Sequence, residues 1–69
     1  MKASEIRELS TEAIRNRLND SKEELMRLRF QQATGELTDH SRMRQVRRRI
    51  ARMLTILNER EQAVRMEGE

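Results

Sequence analysis

The residues with the clearest chemical potential in this sequence are the arginines between residues 42 and 52. This stretch reads RMRQVRRRIAR and holds six arginines and no acidic residue. Arg44, Arg48 and Arg52 recur every four residues, so on a helix they form one row in which each like-charged pair costs about 0.2–0.5 kcal/mol. The planar guanidinium group pairs well with phosphate oxygens. The pattern therefore predicts a surface on which the repulsion between arginines is offset by the phosphates of an anionic polymer backbone.

Two other interpretations of this arginine row stay open at the level of sequence. A charged helix face can simply be solvated, or a basic amphipathic helix can lie on an anionic membrane surface. The membrane interpretation is disfavoured because the segment contains no Trp or Phe and its apolar face is expected to pack against another helix. A phosphate-binding row is the favoured interpretation.

Catalytic and metal-binding chemistry has little support in the sequence. His40 is the only histidine and cysteine is absent, so a metal site lacks its usual ligands. Ser10 is typical of a helix cap, and no base accompanies it as a nucleophile would require. Glu23 and Glu24 are expected on a solvated helix face near Arg27. We expect no enzyme activity, no metal, no cofactor and no small-molecule substrate.

The composition favours one small helical domain over residues 1–69. Of the 69 residues, 35% are hydrophobic and 39% are charged, proline is absent and glycine occurs twice. Such a chain favours helices and is near the lower size limit for a stable core. No apolar run approaches the roughly 18 residues of a transmembrane helix, and the amino terminus lacks the apolar segment of a secretory signal. A cytoplasmic protein is expected.

Two apolar stripes predict two long helices. The first is expected at about residues 10–34, with Ser10 as its N-cap and Gly35 in the left-handed position that ends it. Its stripe recurs at intervals of three and four residues: Ile14, Leu18, Ser21, Leu25 and Leu28. The second is expected at about residues 39–64, with Thr38, Asp39 or Ser41 as its N-cap. Its stripe has the same spacing: Met43, Val46, Ile50, Met53 and Leu57.

The short connection between these helices predicts that they return antiparallel. The expected fold is all-α, a long antiparallel two-helix hairpin with a short N-terminal helical turn or arm at residues 2–8 and a mobile tail at residues 65–69. A two-helix contact buries its aliphatic side chains only in part. The free chain is therefore expected to be marginally stable and to bind a partner.

A second candidate surface lies on the first helix. Met26, Phe30 and Ala33 share one side of it, roughly 90–150° from the apolar stripe, so a simple hairpin leaves them exposed. Phe30 either folds over the end of the hairpin against Leu37 or Met43, or forms a docking patch with Met26 for another protein or for RNA. Both alternatives stay open.

The sequence resembles one known family in three segments: MKASEIRELS at its start, LRFQQATGEL at residues 28–37 and RMRQVRRRIARMLTILNER at residues 42–60. The family is the large-subunit ribosomal protein numbered twenty-nine in the universal scheme, and the likeness covers about residues 1–60. Two features depart from the family pattern. Arg49 stands where an acidic residue is frequent, and residues 61–69 extend past the usual end.

This resemblance implies a two-helix hairpin that binds ribosomal RNA of the large subunit near the peptide exit. It also implies a neighbouring ribosomal protein there, close to where nascent-chain factors dock. Residues 46–52 match the basic signature helix of the family. In its leucine–arginine–aromatic motif, Leu28 is the apolar member and Phe30 the aromatic one, while Arg27 and Arg29 supply the nearby cations.

The sequence thus predicts a non-catalytic RNA-binding protein of the ribosome that supports translation. Arg44, Arg48 and Arg52 are expected to hold phosphates. The other cations expected to contribute are Lys2, Arg27, Arg29, Arg42, Arg47 and Arg49. The predicted protein-contact residues are Met26, Phe30 and Ala33. The alternative is a protein-interaction module in which two hairpins dimerise as a four-helix bundle, although a bundle would normally intersperse acids in the arginine row.

Overall fold

Three helices form the structure, a computed structural model that describes residues 2–68, with side chains described through residue 65. They are α1 (Ala3–Arg7), α2 (Thr11–Ala33) and α3 (His40–Gly68), and the described residues contain no strand. α2 and α3 pack as an antiparallel hairpin, while α1 packs on α3. The molecule is elongated, with extents of 50 × 20 × 15 Å. The predicted all-α fold class is confirmed.

Side-chain caps begin both long helices. The Ser10 hydroxyl accepts a hydrogen bond from the Ala13 N–H at 3.1 Å, which makes Ser10 the N-cap of α2, as predicted. The Asp39 carboxylate accepts from the Arg42 N–H at 3.2 Å and caps α3 in the same way. Of the three predicted candidates for the second cap, the structure therefore selects Asp39.

A left-handed glycine ends α2. Gly35 has a φ of +80°, a conformation that costs other residues a steric penalty. The Gly35 N–H donates to the Gln32 carbonyl at 3.2 Å, and the Glu36 N–H donates to the Gln31 carbonyl at 2.8 Å. These two bonds form a Schellman motif, which satisfies carbonyls at the helix end and turns the chain toward α3. The prediction for Gly35 is confirmed.

The seam between α2 and α3 is apolar along the two predicted stripes. Ile14, Val46 and Met53 are fully buried, and Leu18 is nearly so. Ser21 is also buried, at 4% exposure, where a bulkier residue of the stripe would be expected. The remaining stripe residues are half-buried: Leu25, Leu28, Met43, Ile50 and Leu57. Packing of these stripes holds the hairpin closed.

The short helix α1 contributes to the core instead of lying free as an arm. Ile6 is fully buried and clusters with Ile14, Met53 and Ile56. Ile56 lies beside the predicted stripe of the second helix, yet it is only 3% exposed. Its burial follows from the packing of α1 on α3, which gives α3 a wider buried face than a two-helix hairpin needs.

The last helix is longer than the sequence pattern indicates. α3 continues to Gly68, whereas the predicted helix ends at about residue 64. The predicted mobile tail at residues 65–69 lies partly outside the described residues, and its mobility stays a prediction. Within the described part of the chain, no helix is long and apolar enough to cross a membrane.

Candidate RNA-binding surface

An open row of arginines runs along the side of α3 that points away from α2. Arg44, Arg47, Arg48 and Arg52 are exposed, whereas Val46 is buried against α2. At about 100° per residue, positions 44 and 48 lie nearly opposite the apolar stripe of the same helix. Packing of the stripe therefore positions the arginine row toward solvent.

Most of these guanidinium groups keep their donors available. Within the described residues, Arg44, Arg47 and Arg48 make no ion pair and no hydrogen bond through their side chains, whereas Arg52 has an intramolecular interaction. An open cleft lies on this row, lined by Ser41, Arg44, Gln45 and Arg48. Two planar forks beside one concavity suit the oxygens of a phosphate group.

Two further arginines of α3 are held by a carboxylate of α2. The Arg42 Nε donates a hydrogen bond to Glu24 Oε1 at 2.7 Å, and Arg42 Nη2 lies 2.6 Å from the same oxygen. Arg49 Nη1 lies 3.9 Å from Glu24 Oε2. The expectation that Glu24 lies on a solvated face is therefore wrong, because its side chain is only 24% exposed and points to α3.

The arginines of residues 42–52 thus fall into two groups. Arg42 and Arg49 lie at the seam of the hairpin, and the buried Arg49 Nε has no hydrogen-bond partner among the described residues. A buried donor without an acceptor is costly, so Arg49 is held there by packing and by its ion pair. Glu24 offsets part of the repulsion among the arginines of residues 42–52 before any external anion is bound.

The other three predicted RNA-contact residues lie in two places. Lys2 is exposed at the start of α1, and its backbone N–H donates to Glu5 Oε2 at 3.4 Å. Arg27 and Arg29 are exposed near the end of α2, close to the connection with α3. The structure therefore brings Arg27 and Arg29 to the same end of the hairpin as Arg42 and leaves Lys2 with α1.

The predicted protein-contact residues surround a groove on α2. Met26 and Phe30 are 72% and 68% exposed, so Phe30 does not fold over the hairpin end against Leu37 or Met43. The groove is lined by Glu23, Met26, Arg27, Phe30, Gln31 and Glu36. Ala33 is exposed nearby but does not line it. The groove faces away from α3 and holds two carboxylates and one guanidinium.

Sequence reasoning missed Arg60, which joins α3 to the start of the hairpin. Its Nη1 donates to Thr11 Oγ1 at 3.1 Å, and its Nη2 donates to the carbonyls of Arg7 at 3.1 Å and Leu9 at 2.9 Å. Arg7 also pairs with Glu59 at 3.7 Å. A signal was present, because Arg60 falls on the apolar face of its helix, where a charged group needs partners.

The sequence has clear relatives among known proteins. A model of the ribosomal L29 protein family matches residues 4–60. The large ribosomal subunit protein uL29 of Pelotomaculum thermopropionicum is 54% identical over 65 residues, which cover 94% of this chain and 97% of that protein. The protein of the same name from Geobacillus stearothermophilus is 59% identical over 63 residues, covering 91% and 96% of the two chains. These matches confirm the predicted resemblance, and the chain belongs to the ribosomal L29 protein family.

Proposed function

We propose that this protein is a structural constituent of the large ribosomal subunit, where it binds ribosomal RNA through α3 and supports translation. Its relatives are named as proteins of the large ribosomal subunit. Members of the ribosomal L29 family are structural and not enzymatic, and this chain is accordingly not an enzyme. Its proposed location is the ribosome in the cytoplasm.

The observation that carries the RNA-binding proposal is the set of available guanidinium groups on α3. Arg44, Arg47 and Arg48 are exposed and, within the described residues, have no side-chain partner. A phosphate contact by each of them releases counterions from the RNA without breaking an existing ion pair. Contacts of this kind fix the position of a protein on RNA without reading bases.

The other predicted cations have a supporting role in this proposal. Arg52 extends the row along α3, and Arg27 and Arg29 add charge near the connection between the long helices. Arg42 and Arg49 share their charge with Glu24, so each contributes less to a phosphate than an unshared arginine does. Lys2, the remaining cation of the predicted set, would assist from the start of α1, where it is exposed.

We also propose that the groove around Phe30 contacts a neighbouring ribosomal protein near the peptide exit, close to where nascent-chain factors dock. The position at the exit is what the family resemblance implies. The groove itself supports a protein partner because Glu23 and Glu36 in its wall repel phosphate. Exposed Met26 and Phe30 are residue types that anchor protein interfaces.

The RNA-binding proposal is tested by titrating salt against the affinity for large-subunit ribosomal RNA fragments and for a scrambled duplex of equal length. Arg44, Arg47 and Arg48 are replaced together by glutamine, which keeps helix propensity and removes three charges. We expect selective binding by the unmodified protein. In the variant, the slope of log affinity against log salt should fall by about 2–3, at about 0.7–0.9 per contact.

A matched control removes the same net charge elsewhere. Arg15, Lys22 and Arg65 are exposed outside the arginine row, and their joint replacement by glutamine should leave most of the slope in place. An equal loss of slope in both variants would show that only net charge matters and would overturn the assignment to α3. A stable dimer without RNA, and with no preference for ribosomal RNA, would instead support the four-helix bundle.

A further inference from the structure

We infer that a phosphate-type oxyanion binds in a small notch at the seam between α2 and α3 and joins the two helices there. Four polar side chains line this seam notch: Arg17, Asp20, Ser21 and Arg49. The seam notch is separate from the cleft on the arginine row. The inference goes beyond the proposed function, because it concerns the free hairpin whether or not α3 binds RNA.

The first observation is the hydrogen-bonding state of Arg49, whose side chain is only 25% exposed. A guanidinium group carries five N–H donors and no acceptor. Within the described residues, the Nε of Arg49 is buried without a partner, and its Nη1 lies 3.9 Å from Glu24 Oε2, which is too long for a hydrogen bond. The ion pair with Glu24 therefore shares the charge of Arg49 and leaves these donors unused. Since buried donors almost always have an acceptor, this arrangement calls for one from outside the chain.

The second observation is the charge of the seam notch. Arg17 and Arg49 bring two guanidinium groups to it and Asp20 brings one carboxylate, so its lining carries one excess positive charge. Arg17 also has an intramolecular interaction and supplies charge whatever donors it keeps. A water molecule accepts hydrogen bonds but carries no charge, whereas an oxyanion also offsets the repulsion between the two arginines. The planar fork of arginine matches phosphate oxygens in particular.

The third observation is the buried hydroxyl of Ser21, which is 4% exposed. The other predicted positions of the apolar stripe on α2 are all aliphatic. Serine is smaller than these residues, so it leaves space in the seam, and its hydroxyl can donate to or accept from a ligand. One bound oxyanion thus accounts both for this interruption of the stripe and for the unused donors of Arg49.

Asp20 limits the charge of the oxyanion that fits. Its carboxylate repels a multiply charged anion, but it can accept a hydrogen bond from the P–OH group of a protonated phosphate. A phosphodiester has no such proton, yet its single charge keeps the repulsion small. The same chemistry therefore has two sources, free inorganic phosphate and the phosphodiester backbone of RNA.

The inference is tested by following the side-chain Nε–H signals of the arginines with 15N NMR in the full chain at mildly acidic pH. Inorganic phosphate, dimethyl phosphate as a model of the RNA backbone, and acetate are titrated separately, with chloride holding the ionic strength constant. The Arg49 signal is assigned by its absence from Arg49→Gln. We expect this signal to shift and saturate with phosphate at millimolar concentrations and to respond less to acetate.

Three variants locate the binding site. Arg17→Gln should weaken phosphate binding, measured at the Arg49 signal, by about tenfold, as for loss of a charge-assisted hydrogen bond. Arg15→Gln removes one exposed charge from the same helix outside the seam notch and should leave the affinity unchanged. Joint replacement of Arg44 and Arg48 by glutamine should also leave it unchanged, which separates this site from the RNA-binding row.

Saturable shifts with both phosphate and dimethyl phosphate would support the site and point to the RNA backbone as a source of its ligand. A shift with inorganic phosphate alone would support the site with free phosphate as its ligand. Absence of a saturable Arg49 shift with either compound would overturn the inference, as would equal weakening by Arg15→Gln and Arg17→Gln. Tighter binding of acetate than of phosphate would also overturn it and would assign the seam notch to a protein carboxylate.

Discussion

Glu24 on α2 accepts a hydrogen bond from the Nε of Arg42 on α3 at 2.7 Å, and its other oxygen lies 3.9 Å from Arg49. One carboxylate therefore links two arginines that lie two turns apart on the facing helix. The contact aligns the long helices near their connection. It also lowers the electrostatic cost of the arginines of residues 42–52 in the free protein, so part of the compensation for their charge lies within the hairpin itself.

Replacing Glu24 by glutamine should destabilise the free protein by about 1 kcal/mol, because a partly buried carboxylate is lost while side-chain size is kept. Urea unfolding followed by helical circular dichroism measures the change. The loss should shrink as salt is added, since salt screens the arginine repulsion that Glu24 offsets. A double-mutant cycle with Arg42→Gln should give a coupling free energy of about 0.5–1 kcal/mol.

The neighbouring carboxylate provides the control for this bridge. Glu23 lines the groove on the opposite side of α2, so Glu23→Gln should change the free energy of unfolding by less than about 0.5 kcal/mol. Equal losses in the Glu23 and Glu24 variants would mean that the net charge of the chain, and not the contact with Arg42, sets the effect.

Replacing Ile6 by alanine should destabilise the protein by about 2–4 kcal/mol, as expected when a fully buried aliphatic side chain is truncated. The effect tests whether α1 is part of the core. Leu54 is 47% exposed on α3 and serves as the comparison, with an expected loss from Leu54→Ala below about 1 kcal/mol. Similar values for the two variants in urea unfolding would show that α1 is detached in solution.

The two long helices were predictable because their signals are local and repeated. The stripes through Ile14 and Val46 recur over several turns, and Ser10 and Gly35 mark the ends of α2 by their own backbone chemistry. The core role of Ile6 was not predicted, because a helix of five residues is too short to show a period. The burial of Ile56 depends on α1, so it was missed for the same reason.

The candidate site was predictable in its residue types and only partly in its contacts. Helical spacing alone is enough to put Arg44 and Arg48 on one outward side of α3. The partnership of Glu24 with Arg42 depends on the register between two helices, which periodicity within either helix does not fix. The three acceptors of Arg60 are likewise set by tertiary packing, since two of them are backbone carbonyls that carry no sequence signal.

Replacing Arg60 by glutamine should cost about 1–3 kcal/mol and should speed amide hydrogen exchange in α1 more than in α2. The reason is that one guanidinium group satisfies acceptors on Thr11, Arg7 and Leu9 at once. Arg60→Lys should restore only part of the stability, because an ammonium group lacks the planar fork that reaches several acceptors.

Arg65 is the matched control for the Arg60 variants. Its side chain is 75% exposed and, among the residues that the structure describes, pairs with Glu61 on its own helix, so Arg65→Gln should cost less than about 0.5 kcal/mol. Full rescue by Arg60→Lys would show that positive charge alone is required at this position and would contradict the role assigned to the hydrogen bonds.

Replacing Phe30 by alanine should separate protein docking from RNA binding. Phe30 is 68% exposed, so the free energy of unfolding should change by less than about 0.5 kcal/mol. The salt dependence of binding to RNA fragments should also stay the same, because the groove faces away from the arginine row. Within intact large subunits, added unmodified protein should replace the Phe30→Ala variant at least about tenfold faster than it replaces bound unmodified protein. The reason is that loss of an aromatic anchor weakens a protein interface.

Val64→Ala is the control for this variant, because Val64 has the same 68% exposure but lies far from the groove, on the last turns of α3. Its exchange rate in the subunit should equal that of the unmodified protein. Weaker binding of Phe30→Ala to protein-free RNA would show that the ring stacks on bases and would reassign this side of α2 to RNA. Loss of stability in the free variant would instead show that Phe30 packs within the hairpin.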